Sequence, residues 1–152
     1  MLTKTSAVTD LKGEKMREIK FKYYYKNKYT KEIVSKIRDI KTIEDTEFEI
    51  INLENEHLEL LDRCQFTGLK DKNGRDIYEG DVVKYIAQDV YGNCNSGYEI
   101  RGVGEVTYDE KFGCYIVMSD EDESNAIDIC ELEVIGNIYE NLELLEECGE
   151  RV

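Results

Sequence analysis

The stretch from Gln65 to Asp81 restricts the fold of this chain more than any other, because two tight reversals fall within it. Asn73-Gly74 predicts a two-residue type I′ hairpin, a turn that needs positive φ at both central positions, with Leu69 on one side pairing with Ile77 and Tyr78 on the other. Glu79-Gly80 predicts a second reversal, into Asp81 to Ile86, where β-branched and aromatic residues dominate. None of these residues forms a nucleophile, a metal cluster or a phosphate cradle. The stretch therefore specifies architecture, not activity.

Other segments follow the same period-two logic. Ile19, Phe21, Tyr23 and Tyr25 alternate with Lys20, Lys22 and Tyr24, which predicts a half-buried strand with the first set inward, leaving through a turn at Asn27. Ile33, Val34, Ile37 and Ile40 stand at helical spacing and predict a helix. Glu47 to Leu53 reads as a strand, and Leu58, Leu60 and Leu61 lead into the central stretch through a helical turn near Asn55. Gln88 to Gly102, rich in Gly, Asn and Ser, reads as a mobile loop. Val103 to Tyr108 and Cys114 to Met118 read as a hairpin, Ile127 to Cys130 and Leu132 to Ile138 as the last strands, and Asn141 to Glu147 as a short terminal helix.

Three blocks of the sequence resemble the YopX-like family of phage and prophage proteins. They are the central stretch just described, the closing run Leu132 to Asn141, and the opening run Met16 to Phe21, in family order. Two positions depart from the family's usual form: Leu142 stands where Pro follows the closing Asn, and Lys22-Tyr23-Tyr24-Tyr25 replaces an Arg-aromatic-Trp-Asp run. The resemblance implies a phage origin and a fold, while the lack of an apolar span or signal-peptide stretch in the sequence leaves the cytoplasm of a host cell as the expected location. Residues 1 to 15 precede these blocks and read as a flexible extension. Lys12-Gly13-Glu14-Lys15 can be encoded by a ribosome-binding sequence just upstream of Met16, so translation is also expected to start there.

Charge narrows the function classes. The 152 residues carry a formal net charge of -14, unevenly spread: residues 1 to 41 hold 12 Lys+Arg against 5 Asp+Glu, leaving 8 against 29 for the rest. Between Phe112 and Glu150 there is no Lys or Arg. Such a surface repels nucleic acid and lipid headgroups and favours basic protein partners. No apolar run is long enough to span a membrane, and the polar N-terminus lacks the apolar stretch of a signal peptide. Five cysteines without a C-x-x-C pair read as reduced thiols, Cys114 and Cys130 among them as small core residues.

Several constellations resemble sites. Asp120 to Glu131 places oxygen-bearing side chains at positions 1, 3, 5, 9 and 12 of a calcium loop, yet Asn125 occupies the position of the turn glycine and strands are expected on both sides. We read it as a solvated acidic turn and assign no metal or cofactor. Lys20, Lys22, Tyr24, Lys26 and Lys28 form a basic-aromatic run able to bind single-stranded nucleic acid if exposed. The structural alternative sets those lysines against carboxylates such as Glu143, Glu146 and Glu147. His57, the one histidine, lies in an acidic polar stretch and reads as solvent-facing. Gly102-Val103-Gly104 opens a strand.

These observations predict an α+β fold in which β predominates. A strand-rich subdomain is expected over residues 16–62, and a small, partly open SH3-like barrel with a C-terminal helix over 63–152. Leu69, Ile77, Val82, Tyr85, Val106, Ile116, Val134 and Ile138 are expected in its core. Exposed edges at Glu18 to Tyr25 and Glu47 to Leu53 predict a homo-oligomer. The expected function is a non-enzymatic interaction protein that meets a host or phage protein through Asp89, Tyr91, Tyr98, Asp120, Glu121, Asp122 and Glu123. The alternative is a nucleic-acid-binding accessory factor using the Lys20 to Tyr29 run.

Overall fold

Strand β1, Lys20–Asn27, is the backbone of the first sheet in a computed structural model that describes residues 17–45, 57–88, 99–119, 123–125 and 129–146. The expected extension at 1–15 and the strand at Glu47 to Leu53 lie outside those residues, as does most of the Gln88 to Gly102 loop. β1 leaves through a turn at Asn27, whose side-chain oxygen accepts from the Tyr29 and Thr30 N–H groups. It then pairs antiparallel with β2, Ile33–Asp39, in unbroken register from Lys20↔Asp39 to Lys26↔Ile33.

The helix expected at Ile33 is therefore a strand. Its β-branched residues fit a pleated surface, and the open edge of β1 offers their backbone a complete ladder, so tertiary pairing overrides the helical spacing. Helix starts only where Asp39 caps it: Asp39 Oδ1 accepts from Thr42 N–H at 2.6 Å, and α1 runs Ile40–Asp45.

On the other side of β1 lies β3, Leu58–Lys70; the helical turn expected near Asn55 lies outside the described residues. β3 runs without a break through residues 62 and 63, where a subdomain boundary was expected. Its pairing with β1 steps between Tyr24 and Tyr25. At that step alternation fails, and Tyr23, Tyr24 and Tyr25 are all buried. Tyr24, expected to face outward, is completely buried and stacks on Tyr139 with ring centroids 4.2 Å apart. β1 is thus covered on both faces and central in its sheet, not an edge.

The far end of β3 pairs with β4, Asp76–Tyr78, through Phe66↔Tyr78 and Lys70↔Asp76. The connection is wider than the expected type I′ turn. Gly74 has φ +82°, but Asn73 is not among the positive-φ residues, and Asp71 N–H bonds Arg75 O at 2.8 Å. A three-residue loop, Lys72 to Gly74, closes the hairpin. The cause is Asp71, whose Oδ1 accepts from Asn73 N–H (2.8 Å) and Arg75 N–H (2.9 Å) and so holds the wider turn. Leu69, expected in the core, falls in an irregular stretch of this pairing and is 52% exposed.

The second sheet holds β5 (Asp81–Gln88), β6 (Glu99–Asp109), β7 (Cys114–Met118), β8 (Glu123–Asn125) and β9 (Ile129–Asn137), in the order β8-β7-β6-β5-β9. The β6–β7 hairpin forms as expected. Glu99 to Gly102, expected in a loop, belong to β6, and the two last strands expected are one, β9. One helical turn, α2 at Glu143–Glu146, follows. The described strands make two open antiparallel sheets, with no closed barrel among the described residues. Fold class is α+β, mostly β.

Two cores result. Ile77, Val83, Tyr85, Ala87, Val106 and Val117 form one, with Leu132 and Val134 packed against it; Tyr24, Cys64, Phe66 and Tyr78 form the other, with Ile33 and Tyr139. Neighbours on the short β4 serve both, Ile77 one and Tyr78 the other. Val82 and Ile116 are buried as expected, while Val134 and Ile138 are half-buried.

The hairpin loop closes the remaining edge of β9. Lys72 N–H donates to Leu132 O (2.9 Å), Val134 N–H to Asp71 Oδ2 (3.1 Å), and the Arg75 guanidinium to Val134 O (3.4 Å). Asp71 is buried. Burial alone disfavours its charge, but the N–H donors of Arg75, Val134 and Asn73 outweigh that and hold its carboxyl below the usual value. Asp71→Ala is expected to lower unfolding free energy by roughly 3 kcal/mol, and Asp71→Asn by less, in urea titrations. Because the folded value is depressed, this stabilisation is complete above the unfolded Asp pKa of about 4 and fades as pH falls through the folded value, so wild type and Asp71→Asn converge in acid.

Candidate functional site

The turn at Tyr78 to Asp81 and the run Gly136 to Asn141 are each shaped by backbone bonds, and they close on one another. Tyr78 N–H donates to Asp81 Oδ2 at 2.8 Å, and Gly80, with φ +75°, donates to Val106 O (2.8 Å) and accepts from Ile138 N–H (2.9 Å). A Cβ at Gly80 would meet Ile138 and Tyr139 at 3.3 Å, so the positive φ and the close approach both require glycine. Asn137 Oδ1 accepts from the N–H groups of Tyr139 and Glu140, both at 3.0 Å, and its amide donates to Glu140 Oε2 at 2.7 Å, which stops β9 and turns the chain.

Between these turns and β1 lies a groove of about 490 Å³. Its lining includes Lys22 on β1, Ile37 on β2, Lys70, Arg75, Asp76 and Tyr78 from the β3–β4 hairpin, Asp81, and Asn137 and Glu140 from the closing run. Asp81 is 3% exposed. Burial raises its carboxyl to about 6, against the opposing pull of the Tyr78 N–H and the Lys22 ammonium. That ammonium stands 5.0 Å from the Tyr24 ring centroid and 5.8 Å from that of Tyr78. The hydroxyls of Tyr24 and Tyr78 are buried without a hydrogen-bond partner, and burial pushes the Tyr78 phenol up to about 12.

A second cluster sits behind the groove. Tyr139 O–H donates to Asp62 Oδ2 at 2.5 Å, and Cys64 Sγ lies 3.4 Å from the same hydroxyl. It resembles an activated thiol only on paper. Burial, the largest influence, raises the Cys64 thiol to about 11, which favours the protonated, less reactive form at neutral pH. Among the described residues no group of three or more His, Cys, Asp or Glu is arranged to hold a metal ion.

Most of the acidic and loop residues singled out in the sequence, Asp89, Tyr91, Tyr98, Asp120, Glu121 and Asp122, lie outside the described residues, as does most of the calcium-like loop. Glu123 opens β8 on the outer edge of the second sheet. The basic-aromatic run is split by the fold. Lys20 is buried and bound by Asp76 (2.5 Å) and Glu18 (3.2 Å), not by the acids of the C-terminal helix. Tyr24 has no exposed face on which to stack a base, Lys22 lines the groove, Lys26 is half-buried, and Lys28 is exposed at the strand's end. His57 is exposed beside Tyr29, rings 5.4 Å apart. The sequence reading missed Asp71, Asp81, Asn137 and Tyr139 as site-forming residues, although all but Asp71 end or follow a turn signal.

The three blocks that carry the sequence resemblance are thus brought together in space: Arg17 donates to Thr67 O at 2.9 Å, Lys20 pairs with Asp76, and Gly80 bonds Ile138. The sequence profile of the YopX protein family matches residues 10–146. The chain belongs to the YopX family. No curated protein matches it significantly. Among solved structures, protein EF1440 from Enterococcus faecalis is similar at 25% sequence identity and a TM-score of 0.41, over 82% of this YopX chain and 97% of the other.

In this YopX protein the buried charge of Asp81 has a measurable signature. Its folded pKa of about 6 stands above the unfolded value, so the native state binds an extra proton between about 4 and 6. Wild-type stability should fall as pH rises through that window. Asp81→Asn keeps an acceptor for the Tyr78 N–H and removes the charge, so it is expected to melt above wild type at neutral pH, with the gap closing near pH 4. A gap independent of pH in thermal melts would refute this.

Proposed function

We propose that this YopX-family chain is a phage- or prophage-encoded, non-enzymatic interaction protein that acts by occupying a basic protein partner in the host cytoplasm. Family membership supports the phage origin. The observation that carries the partner's chemistry is the segregation of charge, with no Lys or Arg from Phe112 to Glu150. Where that region is described, Glu131 and Glu133 on β9 share one cation, Lys72, at 3.3 and 2.6 Å. Electrostatic complementarity of this kind raises association rate and selectivity more than it adds affinity. Asp120, Glu121, Asp122 and Glu123, with Asp89, Tyr91 and Tyr98, are the proposed contacts. The nucleic-acid reading loses its stacking platform with the burial of Tyr24.

Tagged protein incubated with host lysate is expected to capture a basic protein at low salt and to release it as salt rises, with about tenfold weaker binding across the physiological range. Charge reversal at Glu121 and Glu123 should abolish capture. Capture unaffected by salt and by the reversal would reject this reading, and capture of nucleic acid lost in Lys28→Glu would favour the alternative.

A homo-oligomer is proposed on a separate observation. Among the described strands β2 is the outermost of its sheet, and Val34 and Ile37 on it are 41% and 58% exposed. Light scattering is expected to give a mass above the monomer that Ile37→Lys reduces to the monomer value. A monomeric wild type at all concentrations would exclude it.

A further inference from the structure

Asn73 is followed by Gly74, and none of the chain's other asparagines precedes a glycine. The backbone nitrogen after an asparagine can attack the side-chain carbonyl carbon, and a glycine there has no Cβ to obstruct the approach. Both residues are exposed at the tip of the β3–β4 hairpin, and the Asn73 side-chain amide makes no hydrogen bond among the described residues. The backbone around it is held instead. Gly74 N–H donates to Asp71 O at 3.0 Å, while Asn73 N–H and Arg75 N–H both donate to Asp71 Oδ1, at 2.8 and 2.9 Å. The attacking nitrogen must first lose the proton that Asp71 O accepts, which would leave two electron-rich atoms facing each other. Asp71 therefore opposes the reaction for as long as the loop keeps its shape.

We propose that Asn73-Gly74 is a self-modification site, where a slow deamidation is restrained by Asp71 and, once complete, unfastens the hairpin loop from β9. Water is the one co-reactant. Gly74 N, its proton taken by hydroxide, bonds to Asn73 Cγ. The Cγ–Nδ2 bond then breaks, and that nitrogen leaves as ammonia with a proton from water, giving a five-membered succinimide. Water opens the ring at one of its two carbonyl carbons. Breaking the new Cγ–N bond leaves aspartate at position 73. Breaking the original peptide C–N bond leaves isoaspartate, whose main chain passes through Cβ and Cγ and is one atom longer.

The loop has little slack for that atom. Three residues, Lys72 to Gly74, span the gap that the Asp71 N–H closes on Arg75 O at 2.8 Å, and Lys72 N–H reaches Leu132 O at 2.9 Å. An extra main-chain atom after residue 73 displaces Arg75 from Asp71. The new carboxylate also stands in the loop whose Asp71 carboxylate receives Val134 N–H at 3.1 Å, and like charges repel. Isoaspartate thus weakens the join between the sheets through both length and charge, whereas aspartate adds charge alone. The site is separate from the acidic protein-binding surface and does not depend on it.

The test is to incubate the full chain at mildly alkaline pH, native and in guanidinium chloride, and to follow residue 73 by peptide mapping that separates asparagine, aspartate and isoaspartate. Modification is expected in both, at least about tenfold slower in the native chain, the factor that one retained hydrogen bond supplies. Asp71→Ala, which loses the two side-chain bonds that shape the loop, should bring the native rate toward the denatured one; if it fails to fold, the wild-type comparison decides alone. Gly74→Ala should slow the denatured rate, because its Cβ obstructs the attack whether or not the chain folds. In the purified isoaspartate form the Val134 amide should exchange with deuterium at least about tenfold faster than in unmodified protein, with Asn73→Asp between the two. Equal native and denatured rates, no modification at Asn73, or unchanged Val134 exchange in the isoaspartate form would overturn the proposal.

Discussion

One carboxylate joins the halves of this protein. Asp71 accepts backbone N–H groups from Asn73 and Arg75 within its own hairpin loop and from Val134 on β9. The first two bonds set the width of the turn, and the third attaches the first sheet's hairpin to the outer strand of the second. Without it the Val134 N–H on the β9 edge would lose its acceptor, leaving part of that edge open to strand pairing. The hairpin loop therefore caps the second sheet while it ends the first.

That attachment explains why two hydrophobic clusters suffice and why a groove remains between them. β4 is three residues long, and its neighbours Ile77 and Tyr78 enter different cores. The sheets meet along this strand and along the Tyr24–Tyr139 stack, but the polar side chains Lys22, Asp76, Asp81 and Asn137 lie where they would otherwise close together. Polar groups with their own partners cannot be squeezed into an apolar seam without cost. The groove is the space they keep open, and the segments that shape it are the ones that carry the YopX resemblance.

Local signals were legible where one interaction dominates. The reversals at Gly74 and Gly80, the β6–β7 hairpin and the buried Ile77, Val82, Tyr85, Val106 and Ile116 followed from turn chemistry and alternation. Failures came where a neighbour distant in sequence decides. Ile33 to Ile40 has helical spacing but lies beside an unpaired strand edge; Tyr24 is out of phase for burial but faces Tyr139; Leu69 is apolar but falls where the β3–β4 register breaks. The site was less legible than the fold. Lys22 looked like one member of a basic stripe, and only the pairing of β1 with β3 separates it from Lys20 and turns it toward Tyr78.

The order of amino acids alone determined that this chain makes short antiparallel strands with glycine reversals, that its charge is divided between a basic start and an acidic remainder, and that it resembles the YopX family. Those properties rest on backbone conformational preference and on formal charge, both local. Tertiary structure decided that the strands form two open sheets, that three consecutive tyrosines are all buried, and that Asp81 keeps a buried carboxylate beside Lys22. Burial and desolvation depend on what packs against a residue from elsewhere in the chain, and no spacing along the sequence encodes that distance.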